Sequence, residues 1–140
     1  VGMAITLGNL GRLCMDMGDF EAAVQYLGRD LEIVQSSGTQ MVGIQIQLLS
    51  HLGTCNLESG HLDQARTLFQ RNAELAESQQ DAVGLAHAAL GLGKIALELG
   101  EELRSLTIVG FAIPIQAIIA SKIATVIGAA LPNTTIVDTA

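Results

Sequence analysis

Glycine placement constrains this chain more than any other feature of its sequence. In three places a Leu-Gly pair is followed seven residues later by a second glycine. The glycines of the Leu-Gly pairs are Gly11, Gly53 and Gly93, and the second glycines are Gly18, Gly60 and Gly100. The interval from the first copy to the second nearly equals the interval from the second to the third. This regularity indicates internal repeats that bury their apolar faces against one another.

Each copy has the features of two helices joined by a glycine turn. The second glycine can adopt the left-handed conformation that closes a helix. Asp19, His61 or Glu101 then starts the next helix, and Asp19 is the best N-cap of the three. The first glycine costs about 1 kcal/mol of helix stability relative to alanine. Close approach of a partner helix offsets this cost, so we expect all three Leu-Gly positions to be packing contacts.

Apolar residues at spacings of three and four indicate amphipathic helices, and no proline precedes Pro114. The expected helices cover about residues 3–17, 20–35, 40–59, 62–78 and 82–99, with short polar linkers at 36–39 and 78–81. The sequence therefore predicts an all-α fold of antiparallel helix-turn-helix repeats stacked as an α-solenoid.

The small and apolar positions of the copies follow a recognisable order. The first copy has Leu10-Gly11, Cys14, Gly18-Asp19-Phe20, Ala23 and Leu27, and the second has Leu52-Gly53, Gly60, Ala65 and Phe69. This pattern resembles the tetratricopeptide repeat. The period of about 40 exceeds the family's usual 34 and is similar to the long-helix type in G-protein-signalling modulators, the Leu-Gly-Asn repeat proteins. Asn9-Leu10-Gly11 resembles their repeated Asn-Leu-Gly.

The resemblance covers residues 1–102 and implies a right-handed superhelix of repeats at about 1–40, 41–80 and 81–102, the last one partial. Two departures stand out, because the alanine expected late in the second helix is Asp30 in the first copy and Asn72 in the second. The third copy has no recognisable second helix after Glu102. The array therefore either ends unusually there or belongs to a longer one.

The resemblance also implies a concave groove, lined by the first helix of each pair, that binds a peptide or a helix. Its predicted residues are Asn9, Arg12, Asp16, Gln47, His51, Thr54, Glu58, His87, Lys94 and Glu98. Bases at Arg12 and Lys94 beside acids one turn further along favour a protein or peptide partner of mixed charge. The alternative is a solvated helix face with the intrahelical ion pairs Arg12–Asp16 and Lys94–Glu98.

Other function classes find little support. A net charge of −7 argues against nucleic acid binding. Cys14 and Cys55 belong to different copies and lack metal-ligand spacing, as expected for buried thiols in a reducing compartment. The three histidines accompany no nucleophile or ligand motif. We expect a non-catalytic cytoplasmic scaffold or signalling adaptor without cofactor or metal; the alternative is a regulatory or sensor module of a larger signalling protein or enzyme.

The C-terminal segment, residues 103–140, differs in composition from the repeats. Residues 106–131 carry a single charge, Lys122, among many Ile, Val, Ala and Gly. One interpretation is a hydrophobic helix that caps the open end of the array. The others are a membrane segment that tethers the repeats and an atypical terminus that drives self-association when exposed. Lys122 makes the membrane interpretation costly.

Overall fold

The computed structural model describes the chain over residues 2–38 and 41–108, with side chains up to Glu101. Its five helices are α1 (Gly2–Asp16), α2 (Phe20–Ser36), α3 (Val42–Glu58), α4 (Leu62–Ser78) and α5 (Ala82–Ile108). Each helix packs antiparallel against the next one along the chain. The predicted all-α fold of stacked helix pairs is confirmed. Of the apolar C-terminal segment, only residues 103–108 belong to a described element, so the three interpretations of that segment lie outside the described residues.

The first two predicted glycine turns are present. Gly18 and Gly60 have φ values of 77° and 79°. After Gly18, the Asp19 amide donates to the Cys14 carbonyl at 2.9 Å, and after Gly60 the His61 amide donates to the Asn56 carbonyl at 2.8 Å. These bonds satisfy carbonyls that the end of a helix would otherwise leave without partners. The same local motif therefore closes α1 and α3.

Helix α2 begins as the sequence predicts, whereas α4 begins without a side-chain cap. The Asp19 carboxylate accepts a hydrogen bond from the Ala22 amide at 3.1 Å. His61 occupies the equivalent position before α4 but makes no side-chain cap bond. Asp81, which the sequence did not mark as a cap, caps α5 by accepting from the amides of Val83 and Gly84.

The third predicted turn is wrong. Gly100 and Glu101 lie inside α5, which continues to Ile108 instead of ending near Leu99. Glycine permits the left-handed conformation but does not impose it. Here Gly100 is followed by Glu-Glu-Leu-Arg, a run of strong helix formers, whereas the first two turn glycines are followed by the weaker helix formers Asp19 and His61. The helix therefore has no local reason to stop.

Two of the three Leu-Gly positions are packing contacts. A Cβ at Gly11 would lie 2.5 Å from Leu27 Cγ, and one at Gly53 would lie 2.7 Å from Phe69 Cε1. Gly93 is exposed and has open space around it within the described part of the chain, so its predicted contact is wrong. The contact on α5 comes from Gly91 instead, where a Cβ would overlap the ring of Phe69. Gly93 faces away from α3 and α4.

The core lies between successive helices. Its larger cluster is apolar, buried and drawn from α1, α2 and α3: Cys14, Ala23, Leu27, Leu31, Val34, Leu48, Leu49, Leu52 and Cys55. Both cysteines are buried and free, as predicted. A second cluster joins α3, α4 and α5 around Phe69, Leu92 and Ile95.

Helix α5 is unusually apolar for its length. Its stretch Ala82–Glu101, with a mean hydropathy of 1.4, is long and apolar enough to cross a bilayer, a test that core helices of soluble proteins also pass. Some of its apolar residues pack in the core, since Leu92 and Ile95 are buried in the second cluster. On the opposite side, Val83, Leu90 and Leu97 are 60–71% exposed.

Candidate functional site

The first helices of the pairs form the more closely spaced layer of the stack. Cα atoms of α3 come within 8 Å of both α1 and α5, whereas the described α2 and α4 make no such approach to each other. In a curved stack of two layers, the layer with the closer spacing lies on the inside. The inner face is therefore formed by α1, α3 and α5, the helices that the sequence assigned to a groove.

Two adjoining cavities open on this inner face. The first has a volume of about 270 Å³ and lies between α1, α2 and α3. It brings together four of the predicted groove residues: Asn9, Arg12, Gln47 and His51. Most of its remaining wall is apolar and consists of Ala4, Ile5, Val34, Met41, Ile44 and Leu48.

The second cavity, of about 230 Å³, lies between α3 and α5 with Phe69 of α4 in its wall. The predicted residues His51, Thr54, His87 and Lys94 line it, together with Leu57 and Leu90 among others. His51 also lines the first cavity, so the two cavities meet at this side chain. Across the second cavity, Ser50 Oγ and His87 Nδ1 are 3.5 Å apart, and the His87 tautomer decides which of them donates.

The predicted acids lie elsewhere. Asp16, Glu58 and Glu98 are exposed and line neither cavity. Each stands four residues after a predicted inner-face position, which is one turn further along the same helix. The intrahelical pairs Arg12–Asp16 and Lys94–Glu98 do not form in the described part of the chain, where the ion pair Arg66–Asp63 lies on α4. We call these three acids the outer row. They lie outside both cavities, and Asp16 and Glu98 form no ion pair with Arg12 and Lys94.

Burial and two neighbouring groups lower the pKa of His51 and so favour its neutral form. Burial is the largest cause that lowers its pKa below the ordinary value, and the positive charge of Arg12 and the proximity of His87 lower the pKa further. A neutral imidazole offers one hydrogen-bond donor and one acceptor. At pH 7 the junction of the two cavities can thus donate to a peptide carbonyl and accept from a peptide amide.

Sequence reasoning missed an acid inside the first cavity. Asp30, on α2, lines this cavity, is only 3% exposed, and its Oδ1 atom has no hydrogen-bond partner. Burial raises the pKa of its carboxyl above the ordinary value. The signal was present in the sequence, because Asp30 occupies a position where the family pattern expects alanine.

The same position in the second repeat is occupied by Asn72. It is fully buried, and neither its Oδ1 nor its Nδ2 has a partner. Asn72 lines neither of the two inner-face cavities. The buried polar side chain is thus a shared feature of the two repeats, but only Asp30 reaches a cavity on the inner face.

The described part of the chain holds no group of three or more His, Cys, Asp or Glu side chains that could bind a metal ion.

Comparison with known families identifies one repeat. The sequence model of the tetratricopeptide repeat matches residues 6–40, a range that contains most of α1, the Gly18 turn and all of α2. Residues 6–40 are therefore similar to a tetratricopeptide repeat, a type of repeat that suggests protein partners in general. No match was found among the curated proteins. No solved structure matches the chain either.

Proposed function

We propose that this chain is a non-catalytic protein-interaction scaffold that binds an extended or helical peptide along the inner face of α1, α3 and α5. One observation carries the proposal. Groove residues that the sequence predicts on α1, α3 and α5 line two cavities, and these cavities meet at His51. The repeat at residues 6–40 supports a protein partner in general.

The composition of the inner face favours a peptide with both charged and apolar residues. The amides of Asn9 and Gln47 can hydrogen-bond to peptide backbone groups in either direction. Arg12 and Lys94 offer charge-assisted bonds to carboxylates, and the outer row of acids offers them to bases. The apolar walls of the first cavity supply buried area, which non-catalytic recognition sites need for affinity.

The repeat type and location are part of the same proposal. The α3–α4 pair repeats the α1–α2 pair, since α2 begins at Phe20 and α4 at Leu62, the same offset that separates Gly11 from Gly53. This long period supports the repeat type of the G-protein-signalling modulators. The two free, buried thiols support a reducing, cytoplasmic location.

A peptide display library panned against the purified full chain tests the proposal. Selected peptides are then titrated against wild type and the double variant Arg12→Glu with Glu58→Lys. We expect the groove variant to bind at least about tenfold more weakly, because it reverses two charges beside the cavities.

The matched control reverses a charge pair on α2, with Arg29→Glu and Glu32→Lys, both of which are exposed and line neither cavity. It should bind like wild type, and circular dichroism should show equal helix content for all three proteins. Equal loss of binding in both double variants, or no loss in either, would remove the inner face from consideration.

A further inference from the structure

The first cavity holds an acidic group whose charge nothing in its described surroundings balances. Asp30 is only 3% exposed, and its Oδ1 atom is without a partner. A carboxylate that loses its hydration without gaining a donor is costly, and this cost falls away when a cation or a donor reaches it. The carboxyl group is therefore the polar feature of the cavity that gains most from a ligand.

Arg12 does not balance this charge. It lines the same cavity, but its side chain is exposed at the solvent edge. A guanidinium close to Asp30 would lower the pKa of the carboxyl, yet burial alone acts on that pKa and raises it. The cavity thus has an unpaired acid at its floor and a free base at its mouth.

The walls fit a long side chain that ends in a charge. The apolar lining comes from three helices and includes Ile5 of α1, Val34 of α2 and Leu48 of α3. Lysine and arginine bury an aliphatic stem along apolar surface and carry their charge at the tip. Gly8 keeps the floor open, because a Cβ at this position would lie 2.7 Å from Asp30 Oδ2.

We propose that this cavity binds a lysine or arginine side chain of the peptide, with the Asp30 carboxylate as the counter-charge and Arg12 bound to an acidic residue beside it. This pairing rests on the function proposed above and names the ligand chemistry of one part of the groove. The expected recognition element is a basic residue with an acidic neighbour. An apolar side chain would contact the apolar walls of the cavity but would leave the Asp30 carboxylate unpaired.

A double-mutant cycle tests the pairing. A peptide selected on the full chain is compared with its analogue in which the basic residue is replaced by methionine, which has similar length and no charge. Each is titrated against wild type and Asp30→Asn, a substitution that keeps the shape of the side chain. With the basic peptide, Asp30→Asn should weaken binding about 10- to 100-fold, the range for a hydrogen bond between charged groups.

With the methionine peptide, Asp30→Asn should change the dissociation constant by less than about twofold, because methionine forms no ion pair with Asp30 that the substitution could remove. Asp63→Asn is the charge-matched control: it removes one acid from α4, outside both cavities, and should leave both affinities unchanged. Gly8→Ala should weaken both peptides, since the added methyl group occupies the floor of the cavity.

The outcomes separate this proposal from the function on which it rests. If Arg12→Glu with Glu58→Lys abolishes binding but Asp30→Asn affects both peptides equally, the groove stands and the basic-side-chain proposal is overturned. Peptides selected without any lysine or arginine would overturn it as well. If no peptide is selected, both proposals fail together.

Discussion

Replacing Gly53 with alanine probes the contact that joins α3 to α4. The added Cβ would lie 2.7, 2.8 and 2.9 Å from three atoms of the Phe69 ring. The ring has little room to retreat, because Phe69 is 2% exposed and also packs closely against Gly91 of α5. Alanine at position 53 therefore forces two helices or a rigid ring to move.

The expected magnitude follows from two opposing terms. Alanine in place of an interior helical glycine stabilises the helix by about 1 kcal/mol. Overpacking of a dense core costs about 1–3 kcal/mol. Taking the middle of that range, we expect Gly53→Ala to lower the free energy of unfolding by about 1 kcal/mol. Gly93→Ala is the matched control, because the same exchange on the exposed side of α5 should raise the free energy of unfolding by up to about 1 kcal/mol.

Urea denaturation of the full chain, followed by far-ultraviolet circular dichroism, measures both changes. A difference of about 2 kcal/mol between the variants corresponds to about 1 M urea in the midpoint at a typical slope. Adding Phe69→Leu to Gly53→Ala should recover part of the loss, and the coupling energy identifies the ring as the obstacle. A Gly53→Ala protein as stable as Gly93→Ala would refute the contact and the repeat interpretation built on it.

Three further predictions concern other features of the fold. Gly18→Ala should destabilise the chain by about 1 kcal/mol because φ is 77° there, while Gly100→Ala, inside α5, should stabilise it by a few tenths to about 1 kcal/mol; thermal melts compare the two. Burial raises the pKa of Asp30, so between pH 3.8 and that raised pKa the carboxyl binds more protons in the native state than in the unfolded state. The free energy of unfolding should therefore fall as pH rises through this range. Asp30→Asn should flatten this slope in urea denaturation measured at several pH values. Burial also raises the pKa of Cys55 to about 11, which leaves roughly one thiolate in a thousand at pH 8, so a thiol reagent should label Cys55 at an appreciable rate only in urea.

Local signals predicted most of the backbone. Helix α4 begins and ends where the sequence indicates, because a glycine turn precedes it and a polar linker follows it. The C-terminal end of α5 was predicted wrongly, since Gly100 looked like the other turn glycines. What separates Gly18 and Gly60 from Gly100 is the following residue: Asp19 and His61 are weak helix formers, whereas Glu101 is a strong one and continues the helix.

The sequence predicted which helix face carries the site, but not which buried polar group on it lacks a partner. The register of the repeats placed His51 and Lys94 on one face, and the structure puts both of them in cavities on that face. Register cannot show whether a buried polar group finds a partner, so Asp30 was visible as an unusual residue and not as an unpaired acid. The location of Gly91 rather than Gly93 against Phe69 also depends on how the helices are rotated about their axes.

The position of His51 has a consequence for how a peptide sequence would be read. This one imidazole forms part of two neighbouring compartments, so whatever fills one of them changes the space and the hydrogen bonding available in the other. Preferences at successive peptide positions would then depend on each other, and a table of independent contributions for each position would describe this protein's ligands poorly.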